Sequence, residues 1–89
     1  MKPTVYIESS VISYYCARPA RDVIILARQE LTRYWWESCL CDYAPFISAF
    51  VLEEISMGDS EAARKRLQSV VSFPQLPIIP EIEPLFTLY

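Results

Sequence analysis

The chain has 89 residues, a formal net charge of −3 and no histidine, and 53% of its residues are apolar. This length allows one small domain, and the apolar content with a single glycine excludes a linker or a disordered tail. The lack of histidine removes the usual general base of a catalytic serine or cysteine, and the negative charge argues against binding nucleic acid by bulk electrostatics. Carboxylates remain as the candidate catalytic groups.

The many Ile, Leu, Tyr and Trp residues exceed what a small domain can cover, so we expect part of the apolar surface to meet another chain or a missing segment. Cys16, Cys39 and Cys41 show no metal-ligand spacing, and their odd number fits a reducing compartment. The first residues do not resemble a signal peptide, and no apolar run approaches the roughly 20 residues that span a bilayer. We therefore expect a cytoplasmic protein that does not enter a membrane.

The first element is a short apolar run that ends on a carboxylate. Residues 5–7 are predicted to form a buried strand, and Glu8 follows it directly. The hydroxyls of Ser9 and Ser10 are suited to cap a helix over the next apolar run. Ligand sites of open α/β sheets form beyond the carboxyl ends of strands, which is where Glu8 would lie. A solvated acid without a ligand explains this segment equally well.

A long amphipathic helix is predicted next. Pro19 interrupts the first helix, and a new one should begin near Arg21 or Asp22 and continue to about Cys41, because no Gly or Pro occurs in between. Its apolar face recurs at helical spacing: Ile24, Ala27, Leu31, Trp35 and Ser38, widened by Leu26, Tyr34 and Trp36. The two Trp side chains are expected to pack in the core or an interface.

The second half repeats the alternation of strand and helix. Residues 46–48 are a strand candidate that leads into a helical segment over 49–55, and Gly58 suits a left-handed turn after it. Asp59 or Ser60 should cap a further helix with a buried stripe of Ala62, Ala63, Leu67, Val70 and Val71. Leu76, Ile78 and Ile79 predict a third strand, and residues 81–89 begin one or two helical turns. Strands that alternate with helices indicate an α/β domain with a parallel sheet.

Two acids are distinguished from the other charged residues: Glu8 and one of the pair Glu53 and Glu54. Adjacent helical residues point about 100° apart, so at most one of that pair faces inward. Paired carboxylates at a sheet edge suit Mg²⁺ or Mn²⁺, although ordinary surface glutamates produce the same pattern. Basic residues cluster at Arg18 with Arg21 and again over 64–66, and such clusters are usually solvated faces.

The motifs taken together resemble the PIN-domain family, in the VapC-like branch whose first strand ends in Glu. The similarity covers nearly the whole chain and rests on residues 5–15, 17–22, 29–37, 47–48, 51–59 and 62–67. The family's second acidic motif, an acid four residues before a glycine on a short helix, registers on Glu54.

The resemblance implies a PIN-like three-layer α/β fold, with a central parallel sheet of about three strands and several helices, in a single domain over residues 1–89. It implies a toxin of a type II toxin–antitoxin system that acts as an Mg²⁺- or Mn²⁺-dependent endoribonuclease. Glu8 and Glu54 would be the catalytic metal ligands, and Ser9 or Ser10 would support them. The implied partners are an RNA substrate, an antitoxin protein, and a second copy or a complementing chain.

The chain also departs from the family pattern. PIN domains carry further aspartates in a later segment, with the last strands and a closing helix, whereas no Asp follows Asp59 here. We therefore expect a domain truncated at its C-terminus, with an incomplete active site. One hypothesis is a ribonuclease that a partner chain completes. The alternative is a catalytically inactive relative that acts as an antitoxin- or protein-binding module, and a third is a piece of a longer native protein.

Overall fold

The computed structural model describes residues 2–76. Its strands are β1 (Thr4–Tyr6), β2 (Ala44–Ser48) and β3 (Gln75–Leu76). Its α-helices are α1 (Ser9–Cys16), α2 (Val23–Tyr34), α3 (Ala49–Ile55) and α4 (Ser60–Ser69). A π-helical turn (Trp35–Cys39) and a 3-10 turn (Leu40–Asp42) connect α2 to β2.

The three strands pair in parallel, with β2 in the middle. Thr4 pairs with Ala44 in the register of β1 and β2, and Ile47 pairs with Gln75 in that of β2 and β3. The prediction of a mixed α/β domain with parallel strands is confirmed for the described part of the chain. The predicted continuation of the third strand at Ile78 and Ile79, and the helical turns over 81–89, lie outside the described residues.

The core lies between the strands and the helices that cover them. Val5 of β1 and Ile7 just after it point into the core, because alternate side chains of an extended segment face the same side. α1 packs against α2, α3 and α4, which places this short helix at the centre of the helical layer. The largest fully buried side chains are Val5, Ile7, Ile12, Thr32, Ile47, Val51, Ile55 and Val70.

The predicted buried stripe of α2 is wrong in most of its positions. Ile24 is 67% exposed and Leu31 is 65% exposed, whereas Gln29 and Thr32 are 2% and 0% exposed. The physical reason is that both polar side chains hydrogen bond to backbone groups. The Gln29 side-chain amide hydrogen bonds to the backbone of Arg18 and Ala20 in the preceding loop. The Thr32 hydroxyl donates to the carbonyl of Arg28 at 2.8 Å. Both polar side chains are therefore buried with their hydrogen bonds made, and the spacing of apolar residues did not predict the buried face of α2.

The C-terminal part of that segment also differs from the predicted single helix. The α-helix ends at Tyr34, and the chain continues as the π-helical turn that contains both Trp residues. Trp35 is buried, and Trp36 stacks on Tyr15 with ring centroids 4.4 Å apart and planes 7° apart. The Trp side chains pack within the protein, as the sequence predicts.

The stripe of α4 is confirmed in part. Ala63 and Val70 are buried, but Leu67 and Val71 are exposed. α4 ends at Ser69, so Val71 does not follow the helical period. Arg66 is partly buried, and its guanidinium donates to the carbonyls of Ile55, the last residue of α3, and of Met57 just after it.

Candidate acidic site

The first acid lies where β1 gives way to α1. Glu8 is the N-cap residue of α1 with an extended backbone, φ −81° and ψ 160°, and its side chain makes no capping hydrogen bond. Its carbonyl accepts from the amide of Ile12 at 3.3 Å, so the backbone is held while the carboxylate is left for other contacts. The side chain is partly exposed. Both Ser9 and Ser10 lie in the first turn of α1, and neither is its N-cap.

The second acid is carried by α3, whose start is fixed by Ser48. Ser48 ends β2 and is the N-cap of α3, and its Oγ accepts from the amide of Val51 at 3.2 Å. The same Oγ is hydrogen bonded to the hydroxyl of Tyr6 at 2.9 Å, which ties the ends of β1 and β2 together. Side-chain capping of this kind typically stabilises a helix by about 1 kcal/mol. The direction of α3, and with it the place of Glu54, is therefore set by a buried polar link.

The structure brings the two predicted acids to one surface recess of about 380 Å³. Ser9 Oγ donates to Glu54 Oε1 at 2.9 Å, so the start of α1 contacts the end of α3 directly. Glu53 and Glu54 are both exposed, and only Glu54 lines this recess. The lining residues are Tyr6, Glu8, Ser9, Ser10, Phe50, Val51 and Glu54.

Sequence reasoning did not identify the roles of Tyr6, Phe50 and Ser48. The signal for Ser48 was present, because a serine before an apolar helical run is a standard N-cap pattern. Tyr6 and Phe50 carried no such signal. Their places in the recess depend on how β1 and α3 pack, which the local pattern does not contain.

The donor set of the recess has the chemistry of a hard cation site. Its charged groups are the carboxylates of Glu8 and Glu54, and Ser9 adds a hydroxyl oxygen. Mg²⁺ keeps several waters and is commonly held by one or two carboxylates plus substrate phosphates, so these residues fit such an ion as part of its shell. Within residues 2–76, no three His, Cys, Asp or Glu side chains come together as a complete set of metal ligands.

No protein-family model, curated protein or solved structure matches this chain. In the described part of the chain, none of the helices has the length and apolar character needed to cross a bilayer.

Proposed function

We propose that this chain is a PIN-type, VapC-like toxin domain of a type II toxin–antitoxin system, a metal-dependent endoribonuclease of the cytoplasm with a three-layer fold. The observation that carries the proposal is the meeting of Glu8 and Glu54, 46 positions apart in sequence, at one recess beyond the end of β1. The two acidic motifs, far apart in the sequence, thus contribute carboxylate oxygens to the same recess. Ligand sites of parallel α/β sheets form at this edge.

In this proposal Glu8 and Glu54 hold Mg²⁺ or Mn²⁺, and Ser9 orients the Glu54 carboxylate through its 2.9 Å hydrogen bond. When bound, the ion lowers the pKa of a water and stabilises negative charge on phosphoryl oxygens. The described residues supply only two carboxylates at the recess, which hold a hydrated ion weakly and provide little of the charge that a water-activating site uses. We propose that a second copy or a complementing chain contributes further ligands, which makes the active species an oligomer.

Cleavage of a structured RNA, assayed in Mn²⁺ and in EDTA, tests this function. The Glu54→Gln variant should lose metal-dependent cleavage, because it removes the negative charge while keeping the shape. Glu53→Gln is the matched control, since Glu53 lies next in the chain but outside the recess. Cleavage that survives in Glu54→Gln, or that Glu53→Gln abolishes equally, contradicts the proposal.

The second candidate is a catalytically inactive relative that binds an antitoxin or another protein. It is favoured by the apolar side chains that α2 presents to solvent, with Val23 77%, Leu31 65% and Tyr34 65% exposed. Exposed apolar surface of this kind commonly marks an interaction site. This candidate predicts no cleavage in any metal, together with association that a Leu31→Lys substitution weakens in sedimentation equilibrium.

A further inference from the structure

The fold joins the two basic clusters that are far apart in the sequence. Arg18 comes from the first cluster, and Lys65 and Arg66 come from the second. All three line a second recess, of about 340 Å³, between the C-terminal end of α1 and α4. Ser13 and Cys16 of α1 form its opposite wall. The recess is therefore built from tertiary contacts, and it is more than a run of charge along one helix.

Among the described residues, two of the three cations have no side-chain partner. Arg66 is engaged, because its guanidinium donates to the carbonyls of Ile55 and Met57 at 3.0 and 2.7 Å. The side chains of Arg18 and Lys65 make no hydrogen bond or ion pair with any residue in the 2–76 range. Both side chains are exposed and line the recess, where their charges are available to a ligand.

Two carboxylates also line this recess, and both are already engaged. Asp59 Oδ2 accepts from the amide of Ala62 at 3.0 Å as the N-cap of α4. Glu61 Oε1 accepts from Arg64 at 2.9 Å. Neither acid is paired with Arg18 or Lys65. The uncompensated charge at the recess is therefore positive, in a protein whose net charge is −3.

The loop that carries Arg18 is held in place by α2. The Gln29 amide accepts from Ala20 N at 2.8 Å and donates to the Arg18 carbonyl at 2.9 Å. Arg33 donates to the Ala17 carbonyl at 3.0 Å. A loop ordered before binding loses less conformational freedom when its ligand arrives, so this arrangement favours affinity.

The cationic recess and the acidic recess lie along the same side of α1. Ser9 lines the acidic recess, and Ser13 and Cys16 line the cationic one. Spacings of four and seven residues fall on one helix face. A separation of seven residues corresponds to about 10 Å along the helix axis.

We infer that the cationic recess binds a backbone phosphate of a single-stranded RNA that runs along α1 to the acidic recess. This inference rests on the proposed function for the identity of the ligand. Arg18 and Lys65 donate charge-assisted hydrogen bonds to the phosphate oxygens. Contacts of this kind set the position of a strand without reading its sequence. The recess thereby guides a neighbouring phosphodiester of the same strand toward Glu8 and Glu54.

Binding of a fluorescently labelled single-stranded RNA in EDTA, measured by anisotropy over a series of salt concentrations, tests the inference without cleavage. Each phosphate contact contributes about 0.7 to the slope of log affinity against log salt for a single strand. Arg18→Ala and Lys65→Ala should each reduce the slope by about 0.7, and Lys65→Arg should preserve it. Arg21→Ala is the matched control, because it removes one exposed charge of the same cluster outside the recess.

The outcomes separate this inference from the proposed function. Equal slopes for wild type, Arg18→Ala and Lys65→Ala overturn the phosphate site, even if metal-dependent cleavage is found. The same holds if wild type does not bind the RNA at all, or if Arg21→Ala lowers the slope as much as Arg18→Ala. A salt-dependence slope that falls in Arg18→Ala and Lys65→Ala supports the phosphate site, even if neither wild type nor Glu54→Gln cleaves RNA.

Discussion

Ser9 and Glu54 lie 45 residues apart in the chain, and a 2.9 Å hydrogen bond from the serine Oγ to the glutamate Oε1 joins them. The bond connects the first turn of α1 to the end of α3 at the edge of the acidic recess. The Ser9 hydroxyl therefore contacts a side chain of another helix and does not cap its own helix. Ser9 thus contacts one of the two acids that α1 and α3 bring to the recess.

Ser9→Ala should have a small effect on stability and a larger one on the acidic site. The bond is exposed, so its loss should lower the free energy of unfolding by less than about 1 kcal/mol. Without its donor, Glu54 is less ordered, and Mn²⁺ affinity should fall. Isothermal titration with Mn²⁺ checks this, and Ser10→Ala is the control, because Ser10 lines the recess without bonding Glu54. Equal affinities for the two variants would argue against a positioning role.

Mn²⁺ should raise the melting temperature if Glu8 and Glu54 hold a cation. A ligand at ten times its dissociation constant adds about 1.4 kcal/mol to the free energy of unfolding. For a domain of this size that corresponds to a shift of several degrees. Glu8→Gln should abolish most of the shift in a thermal denaturation series with Mn²⁺. A full shift in Glu8→Gln would remove this residue from the ligand set.

Ser48→Ala should destabilise the protein by about 1–2 kcal/mol in urea denaturation. The substitution removes the side-chain cap of α3 and leaves the Tyr6 hydroxyl without its partner. Tyr6→Phe removes only the bond between the two hydroxyls, so it should have a smaller effect, about 1 kcal/mol. The reverse order of the two effects would mean that the cap contributes little.

Gln29→Ala should lower the free energy of unfolding by about 1–3 kcal/mol, because it removes both hydrogen bonds that hold the loop at Arg18 and Ala20. Thr32→Val is the comparison. Its hydroxyl donates to a carbonyl of its own helix, so its loss should be smaller. Urea denaturation ranks the two. If Gln29→Ala proves the milder change, the loop is held by other contacts.

Local pattern was a good guide wherever neighbouring residues decide the structure. The strand before Glu8, the break at Pro19, the Asp59 cap and the positive φ of Gly58, 87°, were all predictable in this way. Each depends on backbone preferences that act within a few residues. The residue pattern distinguished Glu8 and the pair Glu53 and Glu54, the family resemblance selected Glu54 from that pair, and the structure adds that Glu8 and Glu54 line one recess.

Helix faces were harder to predict, and α2 shows why. Its apolar period predicted Ile24 and Leu31 inside, whereas the structure buries Gln29 and Thr32. The free energy of burying a side-chain amide depends on whether hydrogen-bond partners are present at the buried position. For Gln29 these partners are backbone groups nine and eleven residues away, which the helical period does not reveal. The exposed apolar side also matches the excess of apolar residues in the composition.

The amino-acid order was sufficient for the α/β class, for the parallel arrangement of strands and for the most conspicuous acids, because these follow from short-range periodicity and from motifs. Packing was required to join Ser9 to Glu54, and to bring Arg18 and Lys65 to one recess. Those pairs lie more than 40 positions apart. Their meeting depends on how α1 crosses α3 and α4, a geometry set by the buried side chains of several elements at once and by no segment alone.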